Sequence, residues 1–187
     1  EAILDAEETI GQRDGVLIAD VGTGSGAIAV SLASYLEYAH VIAVELSPEA
    51  AEVARRNIAK HELGDRVELV LGNGLEPLKA HAGKLTILVS NPPYIPEEDI
   101  AGLDPEVRDW EPHMALTPGS DPYVWYRRFA QEAPDLLQPG GLLAVEVGIH
   151  QATEVVRLLE ESGRWTDISV HKDLGGIERA ILARTKG

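Results

Sequence analysis

The stretch Asp20-Val21-Gly22-Thr23-Gly24-Ser25-Gly26 decides the fold, because it joins a predicted strand to a predicted helix through a glycine-rich turn. The apolar residues 16–19 before it are typical of a buried strand, and the helix is expected from about residue 27 to 36. Glycine permits backbone angles that other residues avoid and lets a ligand approach the main chain. Ligands of open α/β sheets bind beyond the carboxyl ends of the strands, so this turn is a predicted binding site.

The sequence after this turn alternates between strand patterns and helix patterns. Ser47 and Pro48 provide an N-cap residue and a proline at the first helical position, so a second helix is expected to begin there. The further predicted strands cover residues 40–44, 66–71, 85–90, 142–147, 168–171 and 179–184. Strands and helices alternate in the first part of the chain. This alternation indicates a mostly parallel, doubly wound α/β sheet of seven strands with helices on both faces.

The later part of the chain is divided by proline and glycine. Residues 91–121 are rich in prolines and acids and are expected to be irregular, and a connection of this length is usually functional or disordered. Residues 123–137 predict a helix that Pro139-Gly140-Gly141 stops, and residues 151–162 predict another. The turn Leu174-Gly175-Gly176 joins the last two strands and makes a closing antiparallel hairpin. Within the first of these helices, the aromatic side chains expected in the core are Trp125, Tyr126 and Phe129.

Length and composition limit the classes of function. The 187 residues suit a single domain, taken as residues 1–187. No apolar run reaches the length of a membrane span, so no membrane partner is expected. The formal net charge of −15 argues against a wide phosphate-binding face and therefore against direct nucleic-acid binding. The chain has no cysteine, and its six histidines include no pair at i and i+4, so no metal site is expected.

Glu45 ends the second predicted strand, where a carboxylate can accept hydrogen bonds from both hydroxyls of a ribose. With the glycine turn it predicts a cofactor that contains adenosine. The two features do not separate a dinucleotide from S-adenosylmethionine, because both ligands contain that ribose and residues 22–27 also satisfy the looser dinucleotide pattern. Asp20 is expected either to reach the amino group of the methionine-bearing cofactor or to accept from amides of the turn.

The tetrapeptide Asn91-Pro92-Pro93-Tyr94 follows the fourth predicted strand. Two consecutive prolines hold the chain extended and remove two backbone donors, while their carbonyls remain as acceptors. Such a corner suits a planar NH2 group. We expect the Asn91 side-chain oxygen and the Pro92 carbonyl to accept hydrogen bonds from its two N–H groups, and Tyr94 to pack against it.

The glycine turn, Glu45 and the tetrapeptide together resemble class I S-adenosylmethionine-dependent methyltransferases that modify planar nitrogens. A longer set of segments is similar to the release factor glutamine methyltransferase family: Asn91-Pro92-Pro93-Tyr94-Ile95-Pro96, Glu111-Pro112 with Ala115-Leu116, Pro139-Gly140-Gly141, and Asp173-Leu174-Gly175-Gly176. The similarity covers the chain from about residue 16 onward. Adenine-N6 DNA methyltransferases share the Asn-Pro-Pro-Tyr motif, so the segment from Glu111 to Leu116 makes the resemblance specific.

The resemblance implies a Rossmann-like class I methyltransferase domain in a bacterial cytoplasm. It implies methyl transfer from S-adenosylmethionine, with S-adenosylhomocysteine as product, to the glutamine of the Gly-Gly-Gln motif in a class 1 peptide-chain release factor. The implied cofactor contacts are Asp20, Gly22, Thr23, Gly24, Gly26, Glu45, Asn73 and Asn91. The implied catalytic residues are Asn91, Pro92 and Tyr94, and the substrate contacts also include Pro93 and Glu111.

Two features depart from the family pattern. The family carries an N-terminal helical domain that helps to engage the release factor, and the sequence lacks it, so we expect the catalytic domain only. The family usually has aspartate after the third strand, against the adenine, where this chain has Asn73 within Gly72-Asn73-Gly74. Asparagine can still accept from an exocyclic amine and donate to a ring nitrogen.

Several alternatives stay open. Methylation of a ribosomal-protein glutamine uses the same chemistry. Adenine-N6 methylation also presents an NH2 group, but it requires a flipped base and a basic strand-binding face. A dinucleotide-dependent oxidoreductase would explain the glycine turn and Glu45 but not the tetrapeptide. An inactive module that retains only cofactor binding is the last alternative.

Overall fold

The computed structural model describes residues 15–186, so the ends of the predicted domain lie outside the described residues. Its seven-stranded sheet has the order β3-β2-β1-β4-β5-β7-β6. The strands are β1 (Leu17–Val21), β2 (His40–Glu45), β3 (Val67–Leu71), β4 (Leu85–Ser90), β5 (Leu137–Glu146), β6 (Trp165–Lys172) and β7 (Glu178–Thr185). Strand β7 is antiparallel to β5 and β6, and the other neighbouring pairs are parallel, which confirms the predicted fold class.

Helices cover both faces of this sheet. They are α1 (Ala27–Tyr35), α2 (Pro48–Lys60), α3 (Pro105–Arg108), α4 (His113–Leu116), α5 (Val124–Glu132) and α6 (Ala152–Ser162). Successive strand residues point to opposite faces, so Ile18 packs in one cluster with Ile58 of α2, while its neighbour Ala19 packs in another with Phe129 of α5 and Val155 of α6. Both clusters are buried, which explains why the central strands are apolar on both sides.

The segment around Pro139 differs from the prediction. Helix α5 ends at Glu132, and β5 already begins at Leu137, so Pro139-Gly140-Gly141 lies inside a strand and does not stop a helix. Between the pairs Leu85–Leu137 and Ile87–Leu142, β4 advances two residues while β5 advances five. The extra residues form a bulge, which positive φ at Gly140 (74°) permits.

The carboxyl ends of β1 and β4 meet at the point where the strand order reverses, and such a reversal opens a crevice for ligands. Val21 and Ser90 are opposite each other in this pair. The buried Ser90 hydroxyl donates a hydrogen bond to the Val21 carbonyl at 2.7 Å. The backbone N–H groups of Gly22 and Thr23 donate to the Val44 carbonyl of β2 at 2.9 and 3.0 Å. The turn after β1 is therefore tied to both neighbouring strands.

The long segment after β4 is less irregular than the sequence predicts. It contains the 3₁₀ turn Glu97–Gly102 and the short helices α3 and α4. The Ile95 N–H donates to the Leu116 carbonyl at 3.0 Å, and the Glu97 N–H donates to the Gly119 carbonyl at 3.3 Å. These bonds fold the segment back on itself and hold its middle part over the crevice.

Removing the Ser90 hydroxyl tests the tie between the two strand ends. Ser90→Ala should lower the free energy of unfolding by about 1–2 kcal/mol, because the buried Val21 carbonyl loses a donor. Urea unfolding followed by tryptophan fluorescence measures this. The matched control is Ser34→Ala, whose hydroxyl at the surface bonds to its own helix, and its effect should stay within about 0.5 kcal/mol. Equal losses in the two variants would contradict the anchoring role of Ser90.

Candidate active site

A cavity of about 500 Å³ opens beyond the carboxyl ends of β1 to β4. Each of these strands ends in a segment that lines it, and the long segment after β4 also contributes. The predicted site residues that the cavity brings together are Gly22, Gly24, Glu45, Asn73, Asn91, Pro92, Pro93 and Glu111. The parallel sheet therefore gathers side chains that are far apart in sequence at one edge.

The glycine turn presents main chain to this cavity. Gly22 and Gly24 have φ of 72° and 57°, a conformation in which a side chain would be strained. A Cβ atom added at either residue would meet nothing within 4 Å, so the space beside both glycines is open. A ligand can therefore approach the backbone closely at these two positions.

Asp20 lies under the turn and is 1% exposed. Its Oδ2 accepts hydrogen bonds from the Thr23 hydroxyl at 2.6 Å and the Ala29 N–H at 3.0 Å. Its Oδ1 is buried and has no hydrogen-bond partner among the described residues. Burial raises the pKa of Asp20 from 3.8 to about 6, against the lowering effect of those two hydrogen bonds. One oxygen of Asp20 thus supports the turn, while the other lacks a donor.

Glu45 holds three backbone N–H groups around its carboxylate. Oε2 accepts from Gly24 at 2.8 Å, and Oε1 accepts from Leu46 and Ser47 at 2.9 Å each. A carboxylate has about four acceptor positions, so about one remains on Oε2. The contact to two ribose hydroxyls expected from the sequence therefore requires one backbone N–H to give way. Glu45 also joins the start of α2 to the glycine turn.

Asn73 and Gly74 form the side of the cavity after β3. Asn73 is exposed, and its backbone carbonyl accepts from the Glu76 N–H at 3.2 Å. Gly74 has φ of 58°, and a Cβ atom there would lie 2.6 Å from Cζ3 of Trp125. Trp125 packs against the core cluster, as predicted, and its partly buried side chain also lines the cavity, whereas Tyr126 and Phe129 are each 1% exposed.

The Asn91 corner presents acceptors to the cavity. The Asn91 side chain is exposed, and Pro92 and Pro93 beside it also line the cavity. Among residues 15–186, none donates a hydrogen bond to the Asn91 side-chain oxygen or to the Pro92 carbonyl. Both acceptors therefore lack a donor within the described part of the chain.

Tyr94 anchors the far end of this corner and is not among the residues that line the cavity. Its hydroxyl donates to Glu146 Oε1 at 3.2 Å, and its carbonyl accepts from Gln151 Nε2 at 2.8 Å. Burial, and then the charge of Glu146, raise the pKa of the Tyr94 hydroxyl. The predicted contact of Tyr94 with a target amide stays a prediction.

Three further predicted cofactor residues, Asp20, Thr23 and Gly26, belong to the glycine turn but do not line the cavity. Thr23 is 7% exposed, and its hydroxyl is engaged with Asp20. A Cβ atom at Gly26 would lie 3.3 Å from the Cβ atom of Ala54, so Gly26 lets α1 pack closely on α2. Asp20, Thr23 and Gly26 are not among the residues that line the cavity, and their cofactor contacts stay predictions.

Sequence reasoning missed Gln151, Ser90 and Trp125. Gln151 is buried, donates to Tyr94 and accepts from the Gly148 N–H at 3.0 Å, so its side chain ties two loops. A polar residue at a predicted helix start is common, and nothing in the sequence marks this one. Trp125 reaches the end of β3 from α5, and no local sequence signal marks its contact with Gly74.

These features fit the adenosine-bearing sulfonium cofactor that the resemblance implies. The buried Asp20 Oδ1 lacks a donor, and an ammonium group or a bridging water would supply one. The backbone at Gly22 and Gly24 has open space beside it, and Glu45 retains an acceptor position. Among the helices of residues 15–186, none has the length and apolar character of a membrane crossing. The same residues contain no group of three or more histidines and acids arranged to hold a metal ion.

The comparisons with known proteins agree with this geometry. Residues 7–102 match the model of the methyltransferase small domain family. The chain is 43% identical over 166 residues to a release factor glutamine methyltransferase from Synechocystis sp., with 89% of this chain and 56% of that protein covered. It is 44% identical over 183 residues to the protein of the same name from Moorella thermoacetica, with 98% and 62% covered. The chain therefore spans less than two thirds of the length of these relatives.

Solved structures show the same fold at lower identity. A methyltransferase from Pyrococcus furiosus has a TM-score of 0.65 and 20% identity, covering 99% of this chain and 83% of its own. An RNA methyltransferase from Salinibacter ruber, solved in complex with S-adenosyl-L-homocysteine, has a TM-score of 0.58 and 17% identity, covering 100% and 92%. At these identities the likeness establishes the fold alone.

The raised pKa of Asp20 predicts how stability depends on pH. Between about pH 4 and pH 6, folded Asp20 keeps a proton that unfolded Asp20 has lost. Because the folded protein then binds more protons, this residue makes the free energy of unfolding fall by about 3 kcal/mol as pH rises through that window. Asp20→Asn should remove this contribution, so the variant gains stability relative to the native chain as pH rises.

Urea unfolding of both proteins at several pH values between 4 and 7 measures the difference. Asp65→Asn, which changes an exposed carboxyl group, is the matched control and should follow the native chain. If Asp20→Asn and the native chain lose stability in parallel across this range, Asp20 is not protonated in the folded protein at pH 5.

Proposed function

Because this chain belongs to the methyltransferase small domain family, we propose that it methylates the side-chain amide nitrogen (N5) of a glutamine in a class 1 peptide-chain release factor. S-adenosylmethionine is the proposed methyl donor. The supporting observation is that two unpaired acceptors, the Asn91 side-chain oxygen and the Pro92 carbonyl, lie on the same cavity as Glu45 and the open glycine turn. The identity to relatives with that name supports the choice of glutamine and release factor.

The cofactor is proposed to lie along the ends of β1, β2 and β3. The open backbone at Gly22 and Gly24 accommodates its central part, and the free acceptor of Glu45 takes a ribose hydroxyl. Asn73, exposed on the same cavity, can pair with the edge of the adenine through both its amide oxygen and its NH2 group. The unpaired Asp20 oxygen is a partner for the amino group, directly or through water.

The target amide is proposed to sit against the Asn91 corner. Its NH2 group has two N–H donors, which match the two acceptors provided by Asn91 and Pro92. The corner is rigid, because Ser90 is bonded to Val21 before it and Tyr94 is held by Gln151 and Glu146 after it. A rigid pair of acceptors fixes the direction of the nitrogen lone pair, which is the main requirement for an in-line methyl transfer.

The donor, when bound, supplies a methyl group on a sulfonium, whose sulfur keeps the electron pair of the broken bond. An amide nitrogen is a poor nucleophile, because its lone pair is delocalised into the carbonyl. Hydrogen bonds from its N–H groups to Asn91 and Pro92 strengthen as positive charge develops on nitrogen, and so they favour the transition state. The methylated nitrogen then releases one proton to water, so this scheme requires no strong general base.

The charge of the surrounding surface favours a protein substrate over a nucleic acid. Residues 97–111, which form part of the segment over the cavity, contain seven acidic residues and a single arginine, Arg108. A strand-binding surface needs lysine and arginine to replace the counterions of the phosphates. Adenine would also present an NH2 group to Asn91, but its phosphates would meet this acidic segment.

A transfer assay with three substrates tests the proposal. The protein is incubated with methyl-labelled S-adenosylmethionine and, separately, a class 1 release factor, total ribosomal proteins and double-stranded DNA. We expect label on the release factor, and mass spectrometry should locate it on the glutamine of the Gly-Gly-Gln motif. A release factor with that glutamine replaced by glutamate is the control and should remain unlabelled.

The other outcomes separate the alternatives. Label on a ribosomal protein alone would support glutamine methylation but would replace the release factor by a ribosomal protein as the substrate. Label on DNA adenine, with none on protein, would overturn the proposal of glutamine as the target.

Replacing Asn91 tests the amide-holding corner. Asn91→Ala should lower turnover by roughly 10²–10³-fold, comparable to the loss of one preorganised hydrogen-bond partner in a transition state. The dissociation constant of S-adenosylhomocysteine, measured by calorimetry, should change little, although the resemblance also implies a cofactor contact for Asn91. Asn91→Asp keeps an oxygen acceptor and should recover part of the lost turnover. Turnover of the Ala variant close to that of the native protein would remove Asn91 from the mechanism.

A further inference from the structure

The wall of the cavity beside Asn73 has an unusual construction. Gly74 provides no side chain there, and its φ of 58° disfavours any replacement. The place of a side chain is taken by Trp125 of α5, since Cζ3 and Cη2 of its ring lie 2.6 and 2.8 Å from the Cβ position of residue 74. An aromatic ring from a distant helix thus closes the cavity at the end of β3.

Trp125 is held in this position from two other sides. Its ring stacks on Phe129 with centroids 6.0 Å apart, and Phe129 is buried in the core. The guanidinium of Arg128 lies over the ring, 4.8 Å from its centroid, and Arg128 is paired with Glu132 at 3.1 Å. The indole is therefore fixed in orientation before any ligand arrives, which lowers the entropic cost of a contact.

The surroundings of Trp125 in the cavity suit a flat heteroaromatic ligand. Leu46 and Val53 line the same cavity and are 50% and 37% exposed, which leaves apolar side chains facing open space. Asn73 provides an amide that can hydrogen-bond to the edge of a base. An indole, apolar side chains and a carboxamide together offer a purine both apolar contact and edge recognition.

We propose that Trp125 is a binding residue for the purine of the cofactor, filling the position that Gly74 leaves open. The inference rests on the proposed function, since it assumes an adenosine-bearing ligand. It also explains why residue 74 is glycine, because any side chain there would collide with Trp125.

The other two tryptophans provide an internal comparison. Trp110 is 85% exposed and does not line the cavity. Trp165 is 3% exposed, and its ring N–H donates to the Ala130 carbonyl at 3.0 Å within the core. Trp125 is thus the tryptophan that a ligand in the cavity can reach, and its fluorescence can report on binding.

The experiment is a fluorescence titration with S-adenosylhomocysteine and with adenosine alone. Both ligands should change the tryptophan emission of the native protein, and Trp110→Phe should retain that change. Trp125→Phe should lose it. Trp125→Leu should raise the dissociation constant of S-adenosylhomocysteine, measured by calorimetry, by roughly 10-fold, because the smaller side chain leaves part of the purine without apolar contact.

A structural control separates binding from packing. Val155→Ala opens a gap in the core at a residue that does not line the cavity, so it should lower the unfolding temperature while the dissociation constant of S-adenosylhomocysteine stays within about two-fold, which is under 0.5 kcal/mol. Native-like dissociation constants in both Trp125 variants, with the emission change retained in Trp125→Phe, would overturn the inference and leave the proposed function intact. Failure of the native protein to bind S-adenosylhomocysteine would overturn both.

Discussion

The hydrogen bond from the Ser90 hydroxyl to the Val21 carbonyl fixes two strand ends against each other, and the remainder of the site depends on that distance. From Val21 the chain enters the glycine turn, and from Ser90 it enters the Asn91 corner. In the proposed reaction, a cofactor bound by the first and an amide bound by the second must lie at a suitable separation, and this bond helps to maintain it. On the far side of the corner, the bond from Gln151 to the Tyr94 carbonyl supplies a second fixed point.

Glu45 has a comparable role in the half of the cavity that is proposed to hold the cofactor. Its carboxylate gathers N–H groups from the glycine turn and from the start of α2, so it shapes the cavity as well as lining it. Asp20 contributes differently. Its Oδ1 is buried without a hydrogen-bond partner, and burial raises the pKa of the carboxyl group by destabilising the ionised form. A ligand that supplies a donor or a positive charge near this oxygen would stabilise the ionised form of Asp20. Asp20 Oδ1 is therefore an acceptor that lacks a donor, whereas the Glu45 carboxylate is largely satisfied by the backbone.

The sequence predicted the parts of the fold that depend on local pattern. The strand ends at Glu45 and Ser90, the N-cap at Ser47 and the turn at Gly175 were confirmed, since each reflects periodicity or turn chemistry within a few residues. The start of β5 was wrong, because a bulge can absorb Pro139-Gly140-Gly141 only when β4 lies alongside. The position of Trp125 also depends on contacts across the fold, where Gly74 and a helix fifty residues later meet.

The most direct test is a crystal structure of this protein with S-adenosylhomocysteine and a peptide that contains Gly-Gly-Gln. We expect the glutamine amide nitrogen to lie within hydrogen-bonding distance, about 3 Å, of both the Asn91 side-chain oxygen and the Pro92 carbonyl. The product sulfur should lie on the side of that nitrogen facing the glycine turn. A glutamine side chain bound elsewhere, with the Asn91 corner in contact only with the cofactor or with solvent, would contradict the proposed function at its centre.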